Sequence, residues 1–331
     1  MEALLVNAIP NGHGWQYEPK WDGFRCLVFR DVHKLALQSK SGQSLTRYFP
    51  ELVEAFLKLK ATRFVLDGEI AVPVRERFSF DDLLQRIHPA ESRVRKLAKE
   101  HPALFIAFDL LVAPDGGSLV SKRLPERRAA LEDFARRFLR SNKLIRVSPA
   151  TTELAVATNW FNTVGGDLDG IIAKRLDCPY TSGDRAGMQK VKLARTADCV
   201  VGGFRYATGS KVIGSLLLGL YDDAGLLNHV GFCSGLKVAD RKALVKKLEP
   251  LIQPPGFTGH ARGGLSRWST KRSMEWQPLK PALVVEVSYD HFTGGRFRHG
   301  TRLIRWRPDK SPQQCRMEEV KKTGKPSLSL L

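Results

Sequence analysis

Acidic residues are in short supply in this chain. Its 331 residues hold 34 Asp and Glu against 53 Lys and Arg, a formal charge of +19 with His neutral. A surface that basic repels itself and draws polyanions, and nucleic acid is the partner that fits best. A merely basic soluble protein is the plain alternative. Cysteine is scarce as well. Cys26, Cys178, Cys199, Cys233 and Cys315 are scattered, odd in number and without a CxxC pair. The pattern argues against a disulfide framework or a zinc site and predicts a reducing, intracellular compartment. No apolar run approaches the length of a membrane span. The opening "MEALLVNAIP" lacks a basic stretch ahead of its short apolar patch, so no secretion signal is expected. No internal repeat is visible.

The length suits two domains. In the first part, "FRCLVFR" (24–30) and "HKLALQ" (33–38) alternate like the arms of a hairpin. "FPELVEAFLKL" has Pro50 at a helix start and apolar residues at helical spacing. "RFVLDGEIAV" (63–72) and "ALFIAFDLLV" (103–112) predict buried strands, and residues 124–140 an amphipathic helix. "LDGIIAKR" (168–175) and "QKVKLA" (189–194) predict two more strands. Strands and helices mix without steady βαβ alternation, which favours an antiparallel α+β domain. After residue 197 the texture changes. Three glycine-punctuated strands fall within 198–236, then a helix, "ADRKALVKKLEPL", then the strands "ALVVEVSYDHF" and "TRLIRWRP". Five strands with one inserted helix outline a small barrel of the OB type. The expected division is 1–195, 196–315 and a loose basic and polar tail, 316–331.

Charge stands where strands should be apolar. "YEPKWDGFR" (17–25) sets Lys20, Asp22 and Gly23 together at the mouth of a strand. This is either a solvated turn or a nucleophile held out to its substrate. "VLDGEIAV" puts Asp67 and Glu69 on one strand face, with Gly68 opposite. Two carboxylates there suit a divalent metal or a cationic partner, or else a polar edge strand. "GGDLDGIIAK" places Asp169 at the mouth of another apolar strand. "QKVKLA" carries Lys190 and Lys192 on one face, suited to a phosphate chain or simply solvated. Phe108, beside Asp109, reads as core or as a stacking platform.

Taken in order, "EPKWDGFR", "SKSG…LTRYFPEL", "VLDGEIAV", "FIAFDLL", "DGIIAKR", "QKVKLAR" and "RLIRWRPDK" resemble the motifs of ATP-dependent DNA ligases, within the covalent nucleotidyltransferases. The series spans residues 17 to 310 and looks most like the compact bacterial C-type repair ligases. The resemblance implies an α+β, antiparallel-sheet nucleotidyltransferase (ATP-grasp-like) domain followed by an all-β OB-fold domain. It implies that Lys20 attacks the α-phosphate of ATP, with Asp22 of the same motif in the catalytic set. Glu18 falls where the adenine amino group is read, Arg25 at the ribose and later at the nick, and Phe108 against the adenine face. Lys40 falls where the 5′-phosphate of the nick is gripped. Glu69 and Asp169 would act on Mg2+ or Mn2+. Lys190 and Lys192 would hold the α-phosphate, and Arg307, Asp309 and Lys310 would orient the leaving pyrophosphate. Asp169 stands where the family usually has glutamate, and Met188 where an aromatic usually precedes the paired lysines. Nicked duplex DNA is the implied partner, with repair polymerases or end-binding proteins beyond it. The implied setting is a monomer in the cytoplasm, at the nucleoid.

Three rivals are weighed. An RNA ligase or capping-type guanylyltransferase shares the chemistry, but Glu18 and the motif order favour ATP and DNA. An NAD-dependent ligase would bring a cysteine cluster and greater length. A catalytically dead OB-fold binder would not keep Lys20 and its companion motifs. An amine must be neutral to attack, so nearby cations and a metal are expected to lower the Lys20 pKa.

Overall fold

The chain opens with two strands that its alternation does not announce, β1 (Leu4–Val6) and β2 (Trp15–Lys20). The expected hairpin of β3 (Phe24–Asp31) and β4 (Lys34–Ser39) follows. Pro50 starts α1 (Pro50–Leu57), whose Leu52 and Phe56 are buried one turn apart. β5 (Arg63–Ala71) leads to a small hairpin, β6 (Pro73–Val74) with β7 (Arg77–Phe78), and then to α2 (Phe80–Gln85) and α3 (Glu91–Glu100). Ser79 caps α2, its hydroxyl accepting from the Asp82 N–H. β8 (Leu104–Val112), α4 (Leu124–Phe138) and β9 (Ile145–Val147) follow. α5 (Leu154–Thr163), β10 (Gly170–Arg175) and β11 (Met188–Lys192) come next. The computed structural model describes residues 1–163, 168–193, 195–260, 275–320 and 326–331.

These elements make two sheets. One runs β4-β3-β5-β8-β9 and the other β1-β11-β10-β2. Both are antiparallel except at one edge each, where β8 pairs with β9 and β1 with β11 in parallel. The exception has a cause: α4 carries the chain back between β8 and β9, and such a crossover permits a parallel pair. α4 buries Leu124, Arg127, Leu131 and Phe134 on one face. Phe134 meets Phe64 at 5.1 Å between ring centres, and Phe56 meets Phe105 at 5.2 Å. Each such ring contributes on the order of 1.5–3 kcal/mol by leaving water.

The second unit is a five-stranded barrel. Its sheet runs in the order β14 (Leu227–Cys233), β13 (Ile213–Tyr221), β12 (Arg195–Tyr206), β16 (Val284–Tyr289) and β19 (Arg302–Trp306). α6 (Asp240–Leu248) lies between β14 and β16 in the chain. Short pieces flank the barrel: β15 (Gln277–Pro278) pairs with β12, and β17 (Phe292–Thr293) with β18 (Arg296–Phe297). A parallel bridge from Cys233 to Thr301 closes the ring, the Thr301 N–H donating to the Phe232 carbonyl at 3.0 Å. This is the OB-fold arrangement. Val200, Phe204, Leu216, Leu218, Val230, Val285 and Val287 fill it.

The chain divides into Met1–Leu193 with Thr323–Leu331, and Ala194–Lys322. The expected loose tail is therefore corrected. Met317 and the buried Val320 pack on the barrel core. Leu328, Leu330 and Leu331 pack on a cluster of Trp21, Ala71, Phe78, Leu104, Ile106 and Leu168 in the first unit. Apolar residues spaced through a polar-looking tail are enough to dock it. Ala194, at the expected boundary, and residues 321–325 of the expected tail lie outside the described residues. All five cysteines are free thiols. Among the described residues, no helix is long and apolar enough to cross a membrane.

Candidate active site

A cavity of about 830 Å³ opens in the first unit, and both of its sheets line it. The end of β2 supplies Glu18 and Lys20, β3 supplies Arg25, β5 Glu69, β8 Phe108, β10 Lys174, and β11 Met188 and Lys190. The loop after β4 supplies Lys40, Ser41 and Ser44. Period two sets Glu18 and Lys20 on the same face of β2. Lys20 pairs with Gly170 across the sheet, and the Asp169 N–H donates to the Lys20 carbonyl at 3.0 Å. Gly170 has φ +138°, and a Cβ there would lie 1.8 Å from the Val191 carbonyl oxygen. Only glycine permits that approach, and it turns Asp169 toward Lys20. Gly23 serves a similar end. A Cβ there would meet the Ile70 carbonyl at 2.2 Å, so its bareness lets β5 bring Glu69 to the cavity.

The Lys20 ammonium is ion-paired with Asp169, whose other oxygen lies 3.4 Å from Lys192 Nζ. Burial works to lower the Lys20 pKa, but Asp169, Glu69 and Asp22 outweigh it and the net shift is upward. The lowering expected from nearby cations together with a metal is not what the protein's own groups produce. The groups nearest the amine are carboxylates, and they hold its proton on. Burial pushes the Glu69 carboxyl up to about 8, with Lys20 and Arg25 opposing. Lys190 moves the other way: burial, then Lys20, Lys192 and Lys40, lower its pKa. Because only a neutral amine can attack, any transfer of a group onto Lys20 is expected to quicken steadily with pH over roughly pH 6 to 9. A single-turnover rate that stays flat over that range would show that Lys20 is already neutral.

Asp67 and Glu69 share a strand but not a task. Asp67 is fully buried and takes both arms of Arg25, at 3.1 and 2.7 Å, and the Tyr180 hydroxyl at 2.8 Å. It is the cation partner, and Glu69 is the carboxylate that faces the cavity. Arg25 also lies 5.8 Å from the centre of the Phe108 ring. Glu18 is buried beside Lys174 Nζ at 2.7 Å. Lys40 is exposed and paired with Glu2 at 3.0 Å.

Glu69 and Asp169 offer hard oxygen donors near Lys20, and such donors suit Mg2+ or Mn2+. Among the described residues no group of three or more His, Cys, Asp or Glu is placed to hold a metal. A cation there would complete its shell with substrate phosphates and water, the usual habit of Mg2+.

Arg307, Asp309 and Lys310 lie in the second unit. Arg307 Nη1 and Lys310 Nζ share Asp198 at 3.0 Å each. Lys310 also meets Glu319 at 2.9 Å. Arg307 grips Asp309 at 2.8 Å, and this pairing pulls the Asp309 carboxyl down to about 2.

The first unit thus gathers Glu18, Lys20, Arg25, Lys40, Glu69, Phe108 and Lys190 around one cavity, with Asp169 and Lys192 attached through Lys20 and Asp169. Asp22 acts on this group by charge. Lys174, Asp67 with Tyr180, and the Asp198 counter-ion were not singled out as site residues by sequence reasoning. From sequence, Asp67 reads only as one of two carboxylates on its strand, suited to a metal or a cationic partner, and Lys174 leaves a trace as a charge at the end of a largely apolar strand.

A family model described as ATP dependent DNA ligase domain matches residues 5–192, and one described as ATP dependent DNA ligase C terminal region matches residues 209–310. The chain is 44% identical to DNA ligase C2 of Mycolicibacterium smegmatis, over 97% of this chain and 93% of that protein. It is 44% identical to DNA ligase C of Mycobacterium tuberculosis, over 99% of this chain and 95% of that protein. A solved structure from a study of Lig E DNA ligases covers 93% of this chain and 100% of its own, with a TM-score of 0.58 at 16% identity. That likeness speaks for the fold alone.

Proposed function

This chain belongs to the ATP-dependent DNA ligase family, and from that premise we propose that it seals adjacent 3′-hydroxyl and 5′-phosphate ends in duplex DNA, as a repair ligase, with Lys20 as its nucleophile. The observation that supports this reading is the meeting of Lys20, Asp169, Glu69 and Lys190 at one cavity.

In the first step Lys20 Nζ gives up a proton and attacks the α-phosphorus of ATP. A P–N bond forms, the bond to pyrophosphate breaks, and AMP stays on the lysine. That proton, which the ion pair with Asp169 holds on Nζ, passes to water before attack. Lys190 and Lys192 hold the α-phosphate, and Arg307, Asp309 and Lys310 orient the pyrophosphate in line with attack. Glu18 accepts from the adenine amino group, Arg25 binds the ribose and Phe108 stacks on the base. Glu69 and Asp169 would hold Mg2+ or Mn2+, which when bound neutralises charge on the triphosphate. In the second step a 5′-phosphate oxygen, gripped by Lys40, attacks the AMP phosphorus and frees Lys20. In the third the 3′-hydroxyl attacks the 5′-phosphorus and AMP leaves. The +19 charge serves the phosphates of the duplex.

One incubation with α-labelled ATP, GTP or NAD plus metal, followed by a chase with nicked duplex, tests the reading. Label is expected on the protein from ATP alone, and it should move to DNA. Label from GTP or NAD instead would overturn it. Step-resolved variants test the second unit. Asp309→Ala and Lys310→Ala are expected to form almost no adduct yet to seal a nick already carrying AMP on its 5′-phosphate. Equal loss of both steps would assign the second unit a fixed role throughout.

A further inference from the structure

Three residues of the site share one apolar footing. Trp21 follows Lys20 and Leu168 precedes Asp169. Ala71 lies two beyond Glu69 on the same face of β5, and Ile106 of β8 is the cross-strand partner of Glu69. Trp21, Leu168, Ala71 and Ile106 form one buried cluster with Phe78 and Leu104. Trp21 is 4% exposed. Its indole N–H donates to Ser148 Oγ at 3.0 Å, and its ring stands edge-on to Phe78 at 5.8 Å between centres. Leu328, Leu330 and Leu331 pack against this cluster. One short helical turn, Ser327–Leu330, presents them, and the Leu331 N–H donates to the Leu328 carbonyl at 3.1 Å. Residues three apart in such a turn lie over one another, so Leu328 and Leu331 share a side. The chain has by then built the whole second unit, yet these residues belong to the first.

We propose that Leu328, Leu330 and Leu331 are positioning residues for adenylation: by covering the apolar cluster they fix Trp21 and Leu168, and through them hold Lys20 and Asp169 in place at the cavity. The inference rests on the reading of Lys20 as the nucleophile. Trp21 and Leu168 are bonded neighbours of the two site residues, so a shift of either side chain passes into the backbone that aims them. A close-packed cluster transmits such shifts rather than absorbing them. Without the leucines, water reaches the cluster and its members gain freedom. A nucleophile misplaced by about 1 Å can lose on the order of 100-fold in rate. None of the three leucines lines the cavity, so they act on the aim of Lys20 and not on the hold on ATP. A cover that only stabilises the fold predicts something else: a lower melting point, with every folded molecule reacting at the normal rate.

The test is single-turnover adduct formation with labelled ATP by the full chain and three variants: Leu328→Ser with Leu330→Ser, Leu328→Met with Leu330→Met, and the milder Leu328→Ala. A first-order rate constant is read from each time course, so an unfolded fraction lowers the amplitude and leaves the rate untouched. The serine pair is expected to lower the saturated rate by at least about tenfold and to move the half-saturating ATP concentration by less than about twofold. Leu328→Ala should slow it by about threefold, and it carries the test if the serine pair does not fold. The methionine pair, apolar and of similar volume, should stay within about twofold of wild type. A normal saturated rate in the serine pair and in Leu328→Ala overturns the inference while the reading of Lys20 stands. So does a loss confined to the half-saturating ATP concentration, or equal slowing by the methionine pair. If the wild-type chain forms no adduct on Lys20, the reading of the nucleophile fails and the inference falls with it.

Discussion

Lys20→Ala is expected to form no adduct with labelled ATP, a loss of at least about 10⁴-fold, as when any enzyme loses its nucleophile. The fold should survive. Lys20 stands at a strand end, and Asp169 would keep Lys192 at 3.4 Å as a counter-ion. Lys20→Arg is the sharper control. It keeps the positive charge beside Asp169, but a guanidinium does not give up its proton at any ordinary pH, so it too should form no adduct. Both variants should still seal a nick that already carries AMP on its 5′-phosphate, because the last step needs no lysine. Peptide mapping decides the matter. AMP found on Lys190 or Lys192 of the wild-type chain would unseat Lys20.

Arg127→Met is expected to cost about 3–5 kcal/mol of stability, the usual penalty for leaving one half of a buried ion pair. Arg127 and Asp109 are 1% and 3% exposed. Their two hydrogen bonds measure 2.9 and 3.1 Å, and Arg127 also donates to the carbonyls of Lys122 and Cys178. One side chain thereby joins α4, β8 and the segment that carries Tyr180. Burial raises the Asp109 pKa and Arg127 opposes that rise. Without Arg127 the carboxyl shifts further up. A carboxyl whose folded pKa is raised weakens the fold as pH climbs past its unfolded value. The variant's deficit should therefore be largest at neutral pH and above and shrink on acidification. Arg127→Met with Asp109→Leu should regain much of the loss, since an apolar pair leaves no stranded charge. Denaturant melts of the three chains across pH check this. A single variant within about 1 kcal/mol of wild type would mean that water or another cation satisfies Asp109.

The docked C-terminal residues show why local reading falls short. Their sequence is polar and basic overall, yet Leu328, Leu330 and Leu331 find an apolar cluster that includes Trp21, the neighbour of Lys20. No periodicity within the tail specifies that surface. The charges around Lys20 were out of reach of local reading for a similar reason. The basic sequence suggested cations around the amine, and the fold surrounds it with Asp169, Glu69 and Asp22 instead.

The sequence by itself determined the nucleophile candidate, the order of the motifs, most of the strands that carry them, though not β2 beneath Lys20, and the outline of the barrel. Covalent nucleotidyl transfer needs particular side chains, and period-two alternation aims them from strands, so chemistry and local geometry leave a trace along the chain. Tertiary structure alone decided the partners of those side chains. Tyr180 and Asp67 are 113 residues apart, and Arg307 and Asp198 are 109 apart. Lys174 reaches Phe108 across 66 residues. Charge interactions fall off with distance in space and with local solvation, and neither follows separation along the chain. Which groups are neutralised, held in place or left to meet a substrate was therefore settled only when the sheets came together.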